Sequence, residues 1–352
     1  MKLKRLIWTI VAAAAIVATG CAIEPPLHLR MALRVIVKVL WKAEVYPDGV
    51  KPSGVSMYVF RDGSYYQQHT TADVDSSAVH LEPGRYRLYM ISQSPEEFAW
   101  MEFSNLDDFD AASVQVKETK SSWYTREPEE VLIGNPEMMT VGVSDYFEVT
   151  KEMLEEYQKA TDGVDEQTLE GLVRYYTIRV PLTPKSIVSQ YWITIYSDNA
   201  DLLKAVRAST TGMARSFYLT QDTTGPDFGT QIISDWKLTI DDPISRVGHL
   251  DGYVTTFGFP NGELPSADRD ASLNIATLLV DNKTVEDYIF KVGNLITAED
   301  PPDGYRMVYR LILGTETAPV IHPPNVRPPE ESSGFDATVD DWGEGEAVEV
   351  DM

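Results

Sequence analysis

Leu33-Arg34-Val35-Ile36-Val37-Lys38-Val39-Leu40-Trp41-Lys42 is the stretch that decides the fold. Its odd positions, Leu33, Val35, Val37, Val39 and Trp41, are all apolar, whereas Arg34, Lys38 and Lys42 sit between them. A period of two puts every second side chain on one face of an extended chain, so the run reads as a half-buried β-strand. The same pattern recurs further along. Val55 to Arg61 reads as a second strand, Asp62-Gly63 as a tight turn, and residues 64–69 as a third strand. Leu81-Glu82-Pro83-Gly84 gives another turn before a strand over 85–92 that places Tyr86, Leu88 and Met90 on one face, and Val114 with Val116 marks one more.

The second half of the chain repeats this grammar. Tyr176, Ile178, Val180 and Leu182 alternate, with Pro181 and Pro184 pointing to a sheet edge or a bulge because proline cannot donate to a ladder. Further strands are predicted over 187–196, 216–220, 232–240, 253–259, 273–280, 288–292 and 305–313. One clear helical signal interrupts them: Thr150 is a capping residue, Val149 and Leu154 have the spacing of a hydrophobic staple, and residues 151–160 are good helix formers. Many short strands with one or two short helices predict a mainly all-β fold built from β-sandwiches. The polar stretch Thr161-Asp162-Gly163-Val164-Asp165-Glu166 is the expected domain boundary, which divides the chain into domains at 31–165 and 166–352. An acidic, proline-flanked connector then leads to Trp342 and to Val348, Val350 and Met352, whose alternation predicts a terminal strand.

The N-terminus has a different character. Lys2, Lys4 and Arg5 precede an apolar run over 6–18, followed by Thr19-Gly20-Cys21, the three-part layout of a secretory signal. As a helix that run would span about 20 Å, short of the roughly 30 Å hydrocarbon core of a bilayer. The segment resembles a bacterial lipobox, with Ala18 where leucine is usual. The resemblance implies removal of residues 1–20 and acylation of Cys21, the single cysteine, leaving 22–30 with Pro25-Pro26 as an extended tether. The alternative is an ordinary signal peptide cut nearby, with Cys21 left as a free thiol. At about 0.8 kcal/mol per buried methylene, two or three acyl chains hold a protein at a membrane essentially irreversibly.

Charge narrows the choice of partners. The chain carries 54 acidic and 30 basic residues for a formal net charge of −24. Binding nucleic acid or anionic headgroups relies on Lys and Arg to displace counterions, so nucleic acid is not an expected partner. Solubility at an envelope surface is the simplest role for this charge.

No catalytic signature is present. His28, His69, His80, His249 and His322 are scattered, with no two at ligand spacing, and there is no phosphate loop, serine elbow or HExxH. The sequence therefore points to no enzyme, no metal and no cofactor. Asp73, Asp75 and Ser77 alternate like the start of a calcium loop, but the glycine and the distal glutamate are missing, and a solvated loop is the expectation. Among 18 tyrosines and seven tryptophans, most are expected in sandwich faces; Tyr65-Tyr66 and Ser122-Trp123-Tyr124 are the two clusters placed to stack on a glycan or a protein.

Ala208-Ser209-Thr210-Thr211-Gly212-Met213-Ala214 resembles the small-residue segment of the second domain in fimbrillin-like lipoproteins of Bacteroidetes, which are related to type V fimbrial anchor and assembly subunits. Thr211 stands where serine is usual. Leu81-Glu82-Pro83-Gly84-Arg85-Tyr86, Asn135-Pro136-Glu137-Met138-Met139, Thr256-Phe257-Gly258, Asp341-Trp342 and the ending Val348-Glu349-Val350-Asp351-Met352 fit the same pattern. The resemblance implies two tandem transthyretin-like β-sandwich domains and a lipid anchor at Cys21 in the outer membrane. It also implies a surface role in anchoring or assembling a fimbria through strand addition to fimbrillin or other subunits. A surface glycan- or ligand-binding lipoprotein is the alternative. On physical grounds alone, Gly212-Met213-Ala214 predicts a close backbone approach beside a core methionine.

Overall fold

The computed structural model describes residues 32–42, 51–121, 130–267, 270–301 and 305–328, together with the backbone of 347–350. The fold is all-β with several sheets and few short helices. In chain order the first strands are β1 (Leu33–Val39), β2 (Val55–Arg61), β3 (Ser64–Thr71), β4 (Ser76–Leu81) and β5 (Gly84–Ser92). The alternation that opened the sequence is realised in β1, where Leu33, Val35, Val37 and Val39 are buried. The hairpin between β2 and β3 turns on Asp62 and Gly63, both at positive φ (51° and 85°), the backbone that a two-residue turn matched to strand twist requires. β3 is two residues longer than the sequence suggests, and β4 is an addition to the expected set. Its inward residues are Ser77, Val79 and Leu81, and with serine opening that face the period of two is harder to see.

β6 (Met101–Ser104), β7 (Ser113–Val116), β8 (Leu132–Ile133), β9 (Thr140–Val143) and β10 (Phe147–Val149) follow. Helix α1 (Lys151–Thr161) starts as expected, with Met153 N–H donating to Thr150 Oγ1 at 3.2 Å and Leu154 buried. A second helix, α2 (Glu166–Tyr175), begins at Asp165, which accepts from Thr168 N–H at 3.0 Å and from the Thr168 hydroxyl at 2.8 Å. Those bonds hold the Asp165 carboxyl below the usual carboxylate range. The polar stretch between the helices is thus a helix-to-helix turn, with Gly163 at φ 69°.

The remaining strands are β11 (Ile178–Leu182), β12 (Lys185–Ser186), β13 (Ser189–Ser197), β14 (Leu203–Ala214), β15 (Ser216–Tyr218), β16 (Thr223–Thr224), β17 (Phe228–Ile233) and β18 (Trp236–Asp242). After them come β19 (Val247–Thr256), β20 (Ser272–Leu279), β21 (Val285–Lys291), β22 (Thr297–Glu299), β23 (Val308–Leu313) and β24 (Ala347–Val350). The single strand expected over 232–240 is two strands in different sheets. The chain breaks at Ser234-Asp235, both exposed, and Trp236 Nε1–H closes the corner on the Ile233 carbonyl at 3.1 Å. A period of two cannot reveal such a corner, because Ile232, Trp236, Leu238 and Ile240 stay in phase across it. The expected final strand is present, with β24 running parallel to β21.

The described residues form two compact units. The smaller gathers residues up to Val37, Ala78–Arg85 and Phe147–Val180, and so contains both helices. A three-stranded sheet has the order β11-β1-β4, which puts Pro181 of β11 on an edge strand, where a missing N–H costs no ladder bond. The larger unit holds sheets of order β12-β9-β5-β2-β3, β18-β19-β13-β23-β22, β24-β21-β20-β14-β17-β8 and β16-β15-β7-β6. The β13–β23, β17–β8 and β21–β24 pairings are parallel and the rest of the ladders in those sheets antiparallel, so two of the sheets are mixed. β7 pairs with β15, β8 with β17 and β9 with β12, so strands distant in sequence share sheets within this unit. Tyr58, Phe60, Tyr89, Tyr191, Ile193, Met213, Phe217, Leu273 and Phe290 belong to one contiguous core.

Candidate functional site

Two places in the larger unit collect the residues singled out by sequence. The first is a packed seam. Thr210 and Met213 bracket a break in the β14–β17 register, and Gly212 lies there at φ +82°, where a Cβ would come within 2.6 Å of the Asp270 carbonyl. Met213 and Ala214 are buried, and Ala214 N–H donates to the Gly258 carbonyl at 2.8 Å. Gly258 itself is at φ +109°, and a Cβ on it would meet the Tyr309 hydroxyl at 2.6 Å. Its N–H donates to Thr256 Oγ1 at 3.1 Å. Thr211 keeps the hydroxyl function of the serine it replaces, accepting from Ser272 N–H at 2.8 Å. The motifs at 208–214 and 256–258 therefore meet each other and serve packing.

The second place is a groove of about 730 Å³, within the range of small-ligand sites, roughly 300–1,000 Å³. β3 and β6, each the last strand of its sheet, contribute to its walls. From β2 and β3 come Tyr58, Tyr65 and Gln68; from β6 come Met101, Glu102 and Phe103. Pro95, Glu96, Phe98, Leu106, Asp107 and Lys117 complete the lining. Tyr58 is buried and stacked on Tyr89 with ring centroids 4.9 Å apart. Burial pushes its phenol well above the ordinary value, and the nearby carboxylate of Glu96 adds to the rise, so at neutral pH Tyr58 keeps its proton. Tyr65 is 43% exposed and meets Phe60 at a steep 76° angle with centroids 5.9 Å apart.

The polar rim is held in place by its neighbours. Glu137 accepts from Ala99 N–H at 3.0 Å and Trp100 N–H at 2.9 Å, which ties down the segment that presents Phe98. Lys117 Nζ donates to the Ala99 carbonyl at 2.7 Å, and Gln115 Nε2 donates to Glu102 at 3.1 Å. The Ser94 hydroxyl donates to Glu96, which holds that carboxyl below the usual range.

The sequence-stated candidates divide among these surroundings. Tyr65 lines the groove, whereas Tyr66 turns edge-on to Tyr86 at 5.7 Å. Asp73 Oδ1 accepts from the N–H groups of Asp75 and Ser76, and Asp75 pairs with Lys51, the bonding of a surface loop. His249 lies between Asp241 at 2.7 Å and Asp251 at 3.2 Å. Among the described residues no group of three or more His, Cys, Asp or Glu is placed to hold a metal ion, and no helix is long and apolar enough to cross a membrane. Cys21, the preceding signal, the tether and Ser122-Trp123-Tyr124 lie outside the described residues. Sequence reading missed Glu96, Phe98, Met101, Glu102 and Phe103. The one available signal was the short alternation of Met101 and Phe103 with Glu102 and Ser104.

A family model described as a domain of unknown function, DUF5119, matches residues 28–234, more than half of the 352-residue chain. The chain belongs to the DUF5119 family. No curated protein matches this DUF5119 chain. A solved structure of a Bacteroides ovatus ATCC 8483 protein, described as a candidate adhesin, matches at a TM-score of 0.54 and 15% identity, over 89% of this chain and 98% of that one. The fimbrial anchor protein Mfa2 from Porphyromonas gingivalis matches at 0.41 and 12% identity, over 69% of this chain and 77% of its own. A fimbrial assembly protein from Parabacteroides distasonis ATCC 8503 matches at 0.33 and 10%, over 81% and 93%. The B. ovatus likeness, extending over nearly the whole of both chains, shows that this DUF5119 protein shares its fold.

Proposed function

We propose that this protein is a lipid-anchored, surface-exposed envelope protein of the outer membrane that serves as an anchor, accessory or assembly subunit of a fimbria and acts by gripping other protein subunits. In this reading residues 1–20 are removed and Cys21 carries the lipid. The body is built as two tandem transthyretin-like sandwiches, docking occurs at strand edges, and no catalysis is involved. The observation that supports it most is the fold shared with a candidate adhesin over 98% of that protein's length. Sheet edges such as β3, the last strand of its sheet among the described residues, are the physical means by which such a protein joins others, since unpaired N–H and C=O groups accept a further strand.

Isolation of the native membrane complex tests the role: fimbrillin is expected to copurify under conditions that preserve fimbriae, and its absence would sink the fimbrial reading. Replacement of Cys21 by Ser is expected to release the protein from membranes, and a variant that stays acylated and membrane-bound would refute the anchor. A second reading, a glycan-binding surface lipoprotein, draws support from the exposed ring of Tyr65 beside the groove. It predicts a saturable glycan titration.

A further inference from the structure

The groove between β3 and β6 combines two features that favour the same chemistry in an occupant. Its floor is aromatic and apolar, through Tyr58, Phe98 and Phe103, and Tyr65 stands at its edge with 43% of its surface exposed. Its rim bears three carboxylates, Glu96, Glu102 and Asp107, against the single ammonium of Lys117, and that ammonium already donates to the Ala99 carbonyl. An aromatic face attracts a cation through the ring quadrupole, and carboxylates at the rim add a Coulomb term of the same sign. The larger unit already uses this attraction elsewhere: the Arg87 guanidinium lies 3.5 Å from the Phe109 ring centroid, and Arg61 lies 5.7 Å from that of Tyr66. The formal charge of −24 on the whole chain steers a basic partner toward it and repels an acidic one.

We propose that this groove receives a basic and apolar segment of a partner polypeptide, with a lysine or arginine side chain reaching Tyr65 between Glu96 and Glu102. The inference rests on the protein-gripping role proposed above and names the partner's chemistry. A neutral glycan stacks on the aromatic floor and donates its hydroxyls to the carboxylates, but it has no positive charge to answer their surplus, which makes it the weaker occupant. An acidic peptide is repelled by them.

The test is calorimetric titration of the full chain in detergent with three short peptides, in which valine alternates with lysine, with serine or with glutamate, and with a set of neutral oligosaccharides. The lysine peptide is expected to bind, to weaken as salt is raised, and to lose about tenfold in affinity in a Glu96→Gln/Glu102→Gln double variant and again in Tyr65→Ala. Tyr65→Phe keeps the ring and is expected to keep most of the affinity. All three positions of change are solvent-exposed, and unchanged thermal melts check that the variants fold. No binding of the lysine peptide, equal binding by the wild type and the double variant, or saturation by an oligosaccharide in its place would each overturn the proposal. The titration needs no fimbria. Fimbrillin copurification with a negative titration would remove the basic partner and leave the fimbrial role, and a positive titration without fimbrillin would do the reverse.

Discussion

The seam at Gly212 and Gly258 and the groove at Tyr65 lie in the same compact unit, yet their residues answer to opposite demands. At the seam two backbone segments come so close that a Cβ on either glycine would collide with a neighbouring oxygen at 2.6 Å. At the groove an aromatic ring is left 43% exposed beside an open volume. The first arrangement restricts sequence tightly, because few residues tolerate positive φ and no room. The second restricts it loosely, because an exposed ring can be lost without strain. Substitution is therefore expected to cost more at the seam than at the groove.

This contrast can be broken in four ways, in order of expected effect. Gly212→Val combines left-handed backbone strain with a clash against the Asp270 carbonyl, and is expected to cost about 4 kcal/mol of stability, read from denaturant unfolding. A loss below about 1 kcal/mol would mean that the seam is not tightly packed. Met213→Ala empties a fully buried site and is expected to cost about 3 kcal/mol. Thr256→Val leaves Gly258 N–H without its 3.1 Å acceptor in the interior, and a loss of about 2 kcal/mol is expected by the same measurement. Tyr65→Ala is expected to change stability by no more than about 0.5 kcal/mol while weakening the lysine peptide at the groove. A large stability loss there would turn the groove tyrosine into one more packing residue and erase the contrast.

Much of the strand set was legible from the chain alone. β1 and β2 follow the period of two, and the turn at Asp62-Gly63 uses the residues that positive φ demands. The Thr150 cap is equally local, as it is formed within three residues of itself. α2 was harder to see because its cap, Asp165, sits in a polar stretch that also reads as a linker. The corner at 234–235 left no mark in the sequence, because Ile232, Trp236, Leu238 and Ile240 keep even-numbered positions across it. Of the groove, only Tyr65 stood out beforehand. Its counterpart wall comes from β6, some 40 residues further on in sequence, and its support comes from Glu137.

Sequence by itself determined what depends on neighbours along the chain: the strand periodicity, the tight turns, the helix cap, the acidic balance, and the expectation of acylation at Cys21. Tertiary structure alone decided which strands share a sheet, that the motifs at 208–214 and 256–258 touch through Ala214 and Gly258, and that Glu96 and Glu102 line the same groove as Tyr65. The physical reason is range. Backbone conformation and amphipathic period are set within a few residues, whereas a groove is made by side chains whose separation in sequence carries no information about their distance in space.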